Sequence, residues 1–458
     1  MRPAVVAFLL CGAAGCSSAP RPTAGARPDP GAAVATGLDA GSVYGSLGLL
    51  VGGPALPFVA TVRYFADAAP DSTLALFALS LANHALTFQR DGSGFAAGYH
   101  VDVAFRGDSG ATRQFATDET VRVRTLQETN RSDESVIYQQ FIAVRPGLYH
   151  VDVTVRDRNG TAVSHAPRAD TAPRVAGPGM SAPLAVYQGP GRTRLGDVPK
   201  LLANPRAAVS YGADSLRCFV EAYGMPRGAR LAARALDQAG HEVWHDTVAL
   251  TGSDSLASTL AVLRPGDVPV GQGRFEVSPV GAGAAGAAGA AGARSTPFLV
   301  SFSEQWAITS YDQMISLLRY FERQDWVEKL RHAPPEQRPA VWREFYTATD
   351  PTPATPENEA LEAYFRRIQI ANQRFREAGD PGWLTDRGEV YVTLGEPDDV
   401  FDFNTDASRA GVRGIRWTYN SLRLTLFFQD QNGFGRYRLT PLSRAEFQRA
   451  AAQVRRHQ

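Results

Sequence analysis

Two histidines flank a glutamate in residues 241–245, which read His-Glu-Val-Trp-His. The H-E-x-x-H spacing is that of zinc proteases, in which both histidines bind Zn²⁺ and the glutamate is the general base. On a helix, His241 and His245 would lie about 5–6 Å apart, within reach of one ion. On a strand they would lie about 13 Å apart, which is too far. The secondary structure of this segment therefore decides whether one zinc ion can bind.

The residues around this motif favour a strand. Gly240 stands immediately before His241, where a zinc-protease helix would have to be continuous. Side chains alternate through residues 243–250, and many of them are β-branched or aromatic. We therefore predict a hairpin strand, with no catalytic residue, metal or other cofactor assigned. The alternative is an envelope hydrolase, a zinc metalloprotease at His241, Glu242 and His245 in which the two histidines would bind the ion.

The overall charge argues against a general nucleic-acid-binding protein. The 458 residues include 47 Lys and Arg against 46 Asp and Glu, which gives a formal net charge of +1. Nucleic-acid binders normally carry a strong basic excess or stripe. Hydrophobic residues make up 44% of the chain, which is enough for packed cores, and the length predicts several domains.

Residues 1–16 have the layout of an export signal. Arg2 precedes an apolar run at residues 4–10 that is too short to span a membrane, and residues 13–16 read Ala-Ala-Gly-Cys. This end resembles the bacterial lipobox, which implies that Cys16 is lipidated and becomes the new N-terminus. The resemblance also implies, from Ser17, export to the outer membrane. We expect a lipid-anchored cell-envelope protein; an ordinary cleaved signal peptide is the alternative.

One cysteine remains after this predicted signal. Cys11 would leave with the signal and Cys16 would carry lipid, so Cys218 would have no disulfide partner. Leu216, Cys218 and Val220 share one face of a predicted strand, which favours burial of the thiol. A catalytic thiol is the alternative, although the sequence offers it no evident partner.

The chain changes character along its length. Residues 17–50 are rich in Pro, Ala and Gly, which predicts a flexible tether. Residues 51–170 and 180–303 each contain several short alternating segments between turn signals, which predicts two immunoglobulin-like β-sandwich modules. The Gly/Ala-rich stretch 281–294 predicts an exposed hairpin loop in the second module.

From residue 305 the apolar spacing becomes helical. A stripe at i, i+3, i+4 and i+7 is formed by Met314, Leu317, Leu318 and Phe321. Further helices follow, and then predicted strands that begin with EVYVTLG at residues 389–395. We therefore expect helices followed by a small antiparallel sheet over residues 305–445, and a short helix or tail over 446–458. The predicted fold class is multidomain, mainly β and then α+β.

Residues 382–388 read Gly-Trp-Leu-Thr-Asp-Arg-Gly, and the motifs VYVTLGEPD and LRLTLFFQDQNGFGRYRL follow in order. These residues resemble the signature of the GWxTD domain family, and the resemblance covers about residues 310–440. It implies a domain without an established enzymatic activity. It also implies that sandwich-like modules and a lipoprotein signal precede the domain.

Each residue of this signature also has a structural interpretation. Gly382 and Gly388 are expected to bracket a loop between helix and strand, where glycine tolerates positive φ. Trp383 is expected to be a buried apolar plug where the long helix meets the sheet. Thr385 and Asp386 are expected to bond nearby backbone amides and hold the turn.

The charged residues of the signature allow a second interpretation. The carboxylates available to Arg387 are Asp386, Glu396 and Asp398. Pro397 is expected to fix the turn after the predicted strand. The functional alternative is a site composed of Asp386, Arg387, Asp398 and Trp417.

The expected function is binding or scaffolding in the cell envelope, with the membrane contacted through the lipid. Sandwich surfaces and sheet edges suit envelope protein partners or glycan. Two alternatives are the hydrolase above and a ligand-sensing lipoprotein in which Trp383 and Trp417 contact a small ligand.

Lipidation is testable by metabolic labelling with radioactive palmitate. We expect the wild type to be labelled and a Cys16→Ala variant to lose the label, because the thiol is the attachment point. Equal labelling of both proteins would contradict the lipobox assignment.

Overall fold

Strands dominate the chain up to residue 301 and helices follow, as the change in apolar period predicts. The computed structural model describes residues 40–108, 110–129, 135–280, 292–302, 308–355, 358–377, 379–403, 413–430 and 432–457. Cys16, the predicted tether up to residue 39 and residues 281–291 of the predicted Gly/Ala loop lie outside the described residues.

Two sheets face each other in the first unit and confirm a β-sandwich. The first sheet has the order β1-β2-β3-β7: β1 Leu50–Val51, β2 Phe58–Ala66, β3 Thr73–Ala82 and β7 Ser135–Val144. The second joins β4 Gln89–Asp91, β5 Gly94–Gly107, β6 Thr112–Val123, β8 Gly147–Asp157 and β9 Val163–Ala172. The short helix α2, Leu126–Thr129, follows β6. Alternate side chains such as Val101, Val103 and Phe105 enter the shared core, as expected for period-2 strands.

The second unit is also a two-sheet sandwich. One sheet holds β10 Gly179–Met180, β11 Leu184–Gly191, β12 Lys200–Ala203, β14 Leu216–Tyr223, β17 Thr251–Gly252 and β18 Leu256–Leu263. The other has the order β13-β20-β19-β15-β16: β13 Ala208–Ser210, β15 Arg230–Asp237, β16 Glu242–Ala249, β19 Gly271–Pro279 and β20 Arg294–Ser301. Cys218 is a buried free thiol on β14, as predicted, and burial raises its pKa well above the usual range.

The two sandwiches pack on each other through apolar faces. Phe65 and Leu76 of the first unit belong to one buried cluster with Leu184, Val186 and Phe219 of the second. The ring centroids of Phe65 and Phe219 lie 6.4 Å apart. Burial of these side chains on both sides stabilises the contact between the units.

A buried ion pair lies beside this apolar contact. The side chains of Arg192 and Glu221 are each 1% exposed, and Arg192 Nη2 lies 2.9 Å from Glu221 Oε2. The same nitrogen donates to the carbonyl of Ala66 in the first sandwich at 2.6 Å. The Tyr223 hydroxyl donates to Glu221 at 2.8 Å and accepts from the Ala66 amide at 3.1 Å. Burial and the nearby Glu221 charge raise the pKa of Tyr223. Polar bonds therefore link the two units.

The prediction that residues 17–50 form a flexible tether is wrong for the C-terminal part of this range. Residues Ala40–Ser46 form the short helix α1, and Leu50–Val51 forms β1. Val43 and Tyr44 are buried in a cluster that includes Val59 of the first sandwich and Leu299 of the second. The apolar residues between 43 and 50 override the Gly-rich composition because both sandwiches offer them a surface to cover.

The C-terminal unit contains helices and a small antiparallel sheet, as predicted. Its helices are α3 Tyr311–Leu317, α4 Gln324–His332, α5 Arg338–Ala348, α6 Glu359–Arg374, α7 Asp386–Leu394 and α8 Pro441–His457. Its strands, in sheet order, are β21 Asp399–Asp402, β22 Arg413–Tyr419, β23 Leu424–Asp430 and β24 Tyr437–Leu439. The strand predicted at residues 389–395 is wrong, because this segment lies in α7. The predicted domain boundary between residues 445 and 446 is also wrong. Helix α8 begins at Pro441 and buries Phe447 and Ala451 in the domain core.

The core of the second sandwich continues into the helices. Phe302 follows β20 and its ring lies 4.5 Å from that of Trp342 on α5. Tyr211 contacts Phe302 from the sandwich side, with ring centroids 5.3 Å apart. The C-terminal unit therefore shares one buried cluster with the second sandwich. Among the helices that the structure describes, none is sufficiently long and apolar to cross a membrane.

We predict that Arg192→Met lowers the thermal unfolding temperature by several degrees. The substitution leaves the Glu221 carboxylate buried without its cation, which costs about 3–5 kcal/mol. The double variant Arg192→Met/Glu221→Leu should recover part of this loss because no charge stays buried. Differential scanning calorimetry measures both effects. Arg194→Met, which removes an exposed arginine, is the control and should change little; equal effects of Arg192→Met and Arg194→Met would contradict the prediction.

Candidate functional site

The signature forms a tight turn that leads into a helix. Residues Gly382–Leu384 make one 3-10 turn, and Thr385 then caps α7. The Thr385 hydroxyl accepts a hydrogen bond from the Gly388 amide at 3.1 Å and donates one to the Gly382 carbonyl at 2.8 Å. The predicted bonding of Thr385 to a nearby amide is therefore confirmed, and its consequence is the start of a helix.

The two glycines permit close backbone approach. A Cβ atom on Gly382 would come closer than 3.0 Å to the carbonyl oxygen of Ala371 on α6. A Cβ atom on Gly388 would come equally close to the carbonyl oxygen of Gly382. Neither glycine has positive φ, so the predicted reason for them is wrong. Side-chain volume, rather than backbone conformation, excludes other residues here.

Trp383 is a fully buried plug, as predicted, but on the helical side of the domain. Its ring meets Tyr320 edge-on at 6.1 Å, and Arg319 Cζ lies 5.9 Å from its centroid. The adjacent Gly382 amide donates to Asn372 Oδ1 at 3.1 Å. The tryptophan therefore fixes the turn against α6 and the segment after α3.

A buried carboxylate holds Arg387. The side chain of Glu377 is fully buried and lies 3.1 Å from both Arg387 Nη2 and Arg438 Nη1. Glu377 also accepts from the amide of Tyr437, and the Arg387 guanidinium lies 4.2 Å from the centroid of that tyrosine ring. The partners predicted for Arg387, namely Asp386, Glu396 and Asp398, are wrong. Glu377 joins the segment after α6 to β24.

Asp386 makes a second long-range link. Its carboxylate accepts from the Leu439 amide at 2.7 Å and lies 2.5 Å from Arg444 on α8. Arg444 also pairs with Glu389 at 2.8 Å. The prediction that Asp386 bonds a nearby amide is wrong, because its amide partner is distant in sequence. Together these bonds hold the first turn of α7 to β24 and α8.

The structure does not bring the four residues of the proposed site together. Asp398 accepts from the Asn420 amide at 2.6 Å, and Pro397 lies between α7 and β21 rather than after a strand. Trp417 is buried between Phe375 and Phe428, with ring centroids at 5.3 and 4.8 Å. Arg387 approaches the same Phe375 ring, at 5.6 Å. Asp386 and Asp398 are bonded elsewhere, as described above.

The family of this part of the chain can now be stated. Residues 289–441 match the GWxTD domain family. This segment is a GWxTD domain. The family has no known function. The match begins before the expected boundary at residue 305, in agreement with the core that continues from β20 through Phe302. Among curated proteins, none matches the chain.

Solved structures resemble the chain only distantly. Red sea bream transglutaminase has a TM-score of 0.16 at 9% identity, and the match covers 53% of this chain and 31% of that one. Trypsin-activated alpha-2-macroglobulin from Escherichia coli has a TM-score of 0.18 at 11% identity, covering 57% and 17%. A Mobiluncus mulieris adhesin has a TM-score of 0.12 at 10% identity, covering 51% and 83%. At TM-scores this low, the similarity says nothing about function.

The His-Glu-Val-Trp-His segment lies outside the GWxTD domain and, as predicted, at the start of a strand. Glu242 begins β16, the edge strand of its sheet. His241 and His245 are 80% and 79% exposed, and their Nδ1 atoms lie 3.3 Å from Asp237 and 3.0 Å from Glu242. The described residues contain no group of three or more histidines, cysteines or carboxylates arranged to hold a metal ion. The helix that the zinc motif requires is therefore replaced by a strand.

The GWxTD domain also exposes an apolar surface that sequence reasoning missed. Phe401 on β21, Arg416 on β22 and Phe427 on β23 are in register across one face of the sheet. Phe403 stacks edge-on against Phe401 at 4.9 Å. Leu442, at the start of α8, precedes Ser443, whose Oγ accepts a hydrogen bond from the Phe427 amide at 2.9 Å. We call these five residues the aromatic sheet face. Its sequence signal is Phe427, an apolar residue at a position where alternation predicts a polar one.

We predict that Gly388→Ala destabilises the GWxTD domain by about 1–3 kcal/mol or more, because the new methyl meets backbone rather than a movable side chain. The thermal unfolding temperature, measured by circular dichroism, should fall. Gly196→Ala is the matched control, since a Cβ there meets nothing within 4 Å. A Gly388→Ala protein as stable as the control would rule out the close-approach explanation.

Proposed function

We propose that this protein is a binding or scaffolding protein of the cell envelope, anchored by lipid at Cys16. Its GWxTD domain would bind a protein partner through the aromatic sheet face. The observation that carries the proposal is the exposure of large apolar side chains on that face: Phe401 is 46% exposed, Phe427 43% and Leu442 68%. Contiguous exposed apolar side chains with a polar rim mark interaction sites in soluble domains.

The chemistry of this face suits a protein interface. Arg416 Cζ lies 5.1 Å from the Phe401 ring and its guanidinium pairs with Asp399 at 3.2 Å, so its charge is held over an aromatic surface. Phenylalanine, arginine and leucine together offer apolar anchors and one directional cation. Aromatic and arginine side chains contribute most to the free energy of binding in protein interfaces.

The edge strand next to this face supports the same proposal. Every residue of β21 is exposed, and in the described part of the chain this strand pairs on one side only, with β22. An edge strand carries unpaired backbone groups that an extended segment of another protein can bind. Val400 and Phe401 would then supply side-chain contacts on the two faces of the strand.

The absence of a catalytic role is part of the proposal. The charged residues of the signature each have a structural bond, such as Arg387 with Glu377 and Asp386 with the Leu439 amide. Trp383 and Trp417 are both buried in the apolar core, which favours a structural role over the ligand-sensing alternative. These bonds support a rigid domain that presents its sheet.

The experiment is in-cell crosslinking followed by purification and identification of the crosslinked proteins. We expect the double variant Phe401→Ser/Phe427→Ser to lose its crosslinked partner by about tenfold or more, because both apolar anchors are removed. Leu148→Ser, an exposed apolar residue of the first sandwich, is the control and should keep the partner. If the double variant folds normally and recovers the same partner in the same yield, the proposed interface is wrong.

A further inference from the structure

A cleft of about 710 Å³ lies between the two sandwiches. One wall comes from β2 and β9 of the first sandwich, and the other from β20 of the second. Residues 173–180 and Ala182, at the connection between the sandwiches, also line the cleft, together with Leu47 and Gly48. The volume falls in the range of sites for small molecules. This cleft lies outside the GWxTD signature and the aromatic sheet face.

The charge of the lining is strongly one-sided. Four arginines reach the cleft: Arg63, Arg168, Arg174 and Arg294. Among the described residues that line it, Asp170 is the one carboxylate. Asp170 already accepts from the Tyr64 hydroxyl at 3.0 Å and from Arg168 at 3.1 Å. The arginines therefore outnumber the available negative charge by three.

The other arginine contacts are with neutral acceptors. Arg63 donates to the Val62 carbonyl at 2.9 Å and to Thr296 Oγ1 at 3.1 Å. Arg174 donates to the Pro70 carbonyl at 2.9 Å. These bonds orient the guanidinium groups without neutralising them. Each guanidinium has five N–H donors, so several remain for a ligand.

The position of Arg63 makes this unbalanced charge costly. Burial and, to a lesser extent, the positive charge of nearby Arg168 lower the pKa of Arg63 to about 10, although the Asp170 charge opposes both effects. A positive charge that is destabilised by burial and by a like charge gains the most from a bound anion. The cleft thus has the electrostatics of an anion site.

We propose that this cleft binds a small phosphate-bearing molecule. Three excess positive charges call for more than one negative charge, and a phosphate monoester supplies nearly two at neutral pH. Its three oxygens can accept from several guanidiniums at once, in the charge-assisted geometry that arginine favours. Apolar residues of the lining, among them Val62, Val175 and Pro297, would contact the organic part.

The test is calorimetric titration of the purified full chain with pyrophosphate. We expect saturable binding, weakened at least about tenfold in Arg174→Gln/Arg294→Gln, because both substituted side chains donate to the anion. Both arginines are exposed, so the fold should persist. The control is Arg113→Gln/Arg449→Gln, which removes the same charge from exposed positions outside the cleft and should bind like the wild type.

Citrate and anionic phospholipid vesicles complete the experiment. Citrate binding tighter than pyrophosphate would overturn the choice of phosphate, because a carboxylate-based ligand would then fit better. Displacement of pyrophosphate by phosphatidylglycerol vesicles would assign the phosphate to a lipid headgroup, and failure to displace it would assign it to a soluble molecule. No saturable pyrophosphate binding, or an equal loss in both double variants, would overturn the site. The result does not depend on the aromatic sheet face, whose partner is measured separately.

Discussion

The close packing of the turn at Gly382 against α6 and α7 determines the arrangement of the GWxTD domain. A side chain on Gly382 would collide with the carbonyl oxygen of Ala371, and a side chain on Gly388 would collide with the carbonyl oxygen of Gly382, so only hydrogen atoms fit at both positions. This contact places Thr385 to cap α7 and places Asp386 and Arg387 at its first turn. Their side chains can then reach Leu439, Arg444 and Glu377, which hold β24 and α8. The turn thus determines the position of the sheet and of the aromatic sheet face that it carries.

Local pattern predicted the β-rich part of the fold because strands bury alternate side chains there. The alternation through residues 243–250 correctly placed His241 and His245 at a strand, and Cys218 was correctly placed in a core. The same reasoning failed at residues 389–395. Val390, Tyr391 and Val392 are all buried, so these β-branched and aromatic residues reflect packing on several sides rather than a pleated strand. The Thr385 cap and Gly395, with φ of 86°, mark the ends of a helix instead.

The long-range ion pairs could not be predicted from the sequence, for a different reason. Glu377 binds Arg387 ten residues later but also Arg438, sixty-one residues away. The carboxylates close to Arg387 in sequence bond elsewhere: Asp386 with Arg444, Glu396 with Arg374 at 2.7 Å, and Asp398 with the Asn420 amide. The cleft between the sandwiches was equally unpredictable, because Arg63, Arg168 and Arg294 meet only after both modules dock. Surface chemistry of this kind depends on tertiary contacts that no local period encodes.

The docking of the sandwiches also changes how an anchored molecule would be held. Residues 40–50 pack on both sandwiches instead of extending the predicted tether. With Cys16 lipidated, as proposed, only residues 17–39 separate the membrane from the first packed residue, a span of at most about 80 Å when fully extended. The buried Arg192–Glu221 pair then links the two sandwiches, and the continuous core into α5 joins the second sandwich to the GWxTD domain. A partner bound at the aromatic sheet face would therefore be held within a bounded distance of the membrane by a chain whose modules share buried contacts throughout. Holding a bound partner at a limited distance from the membrane is what the proposed scaffolding role requires.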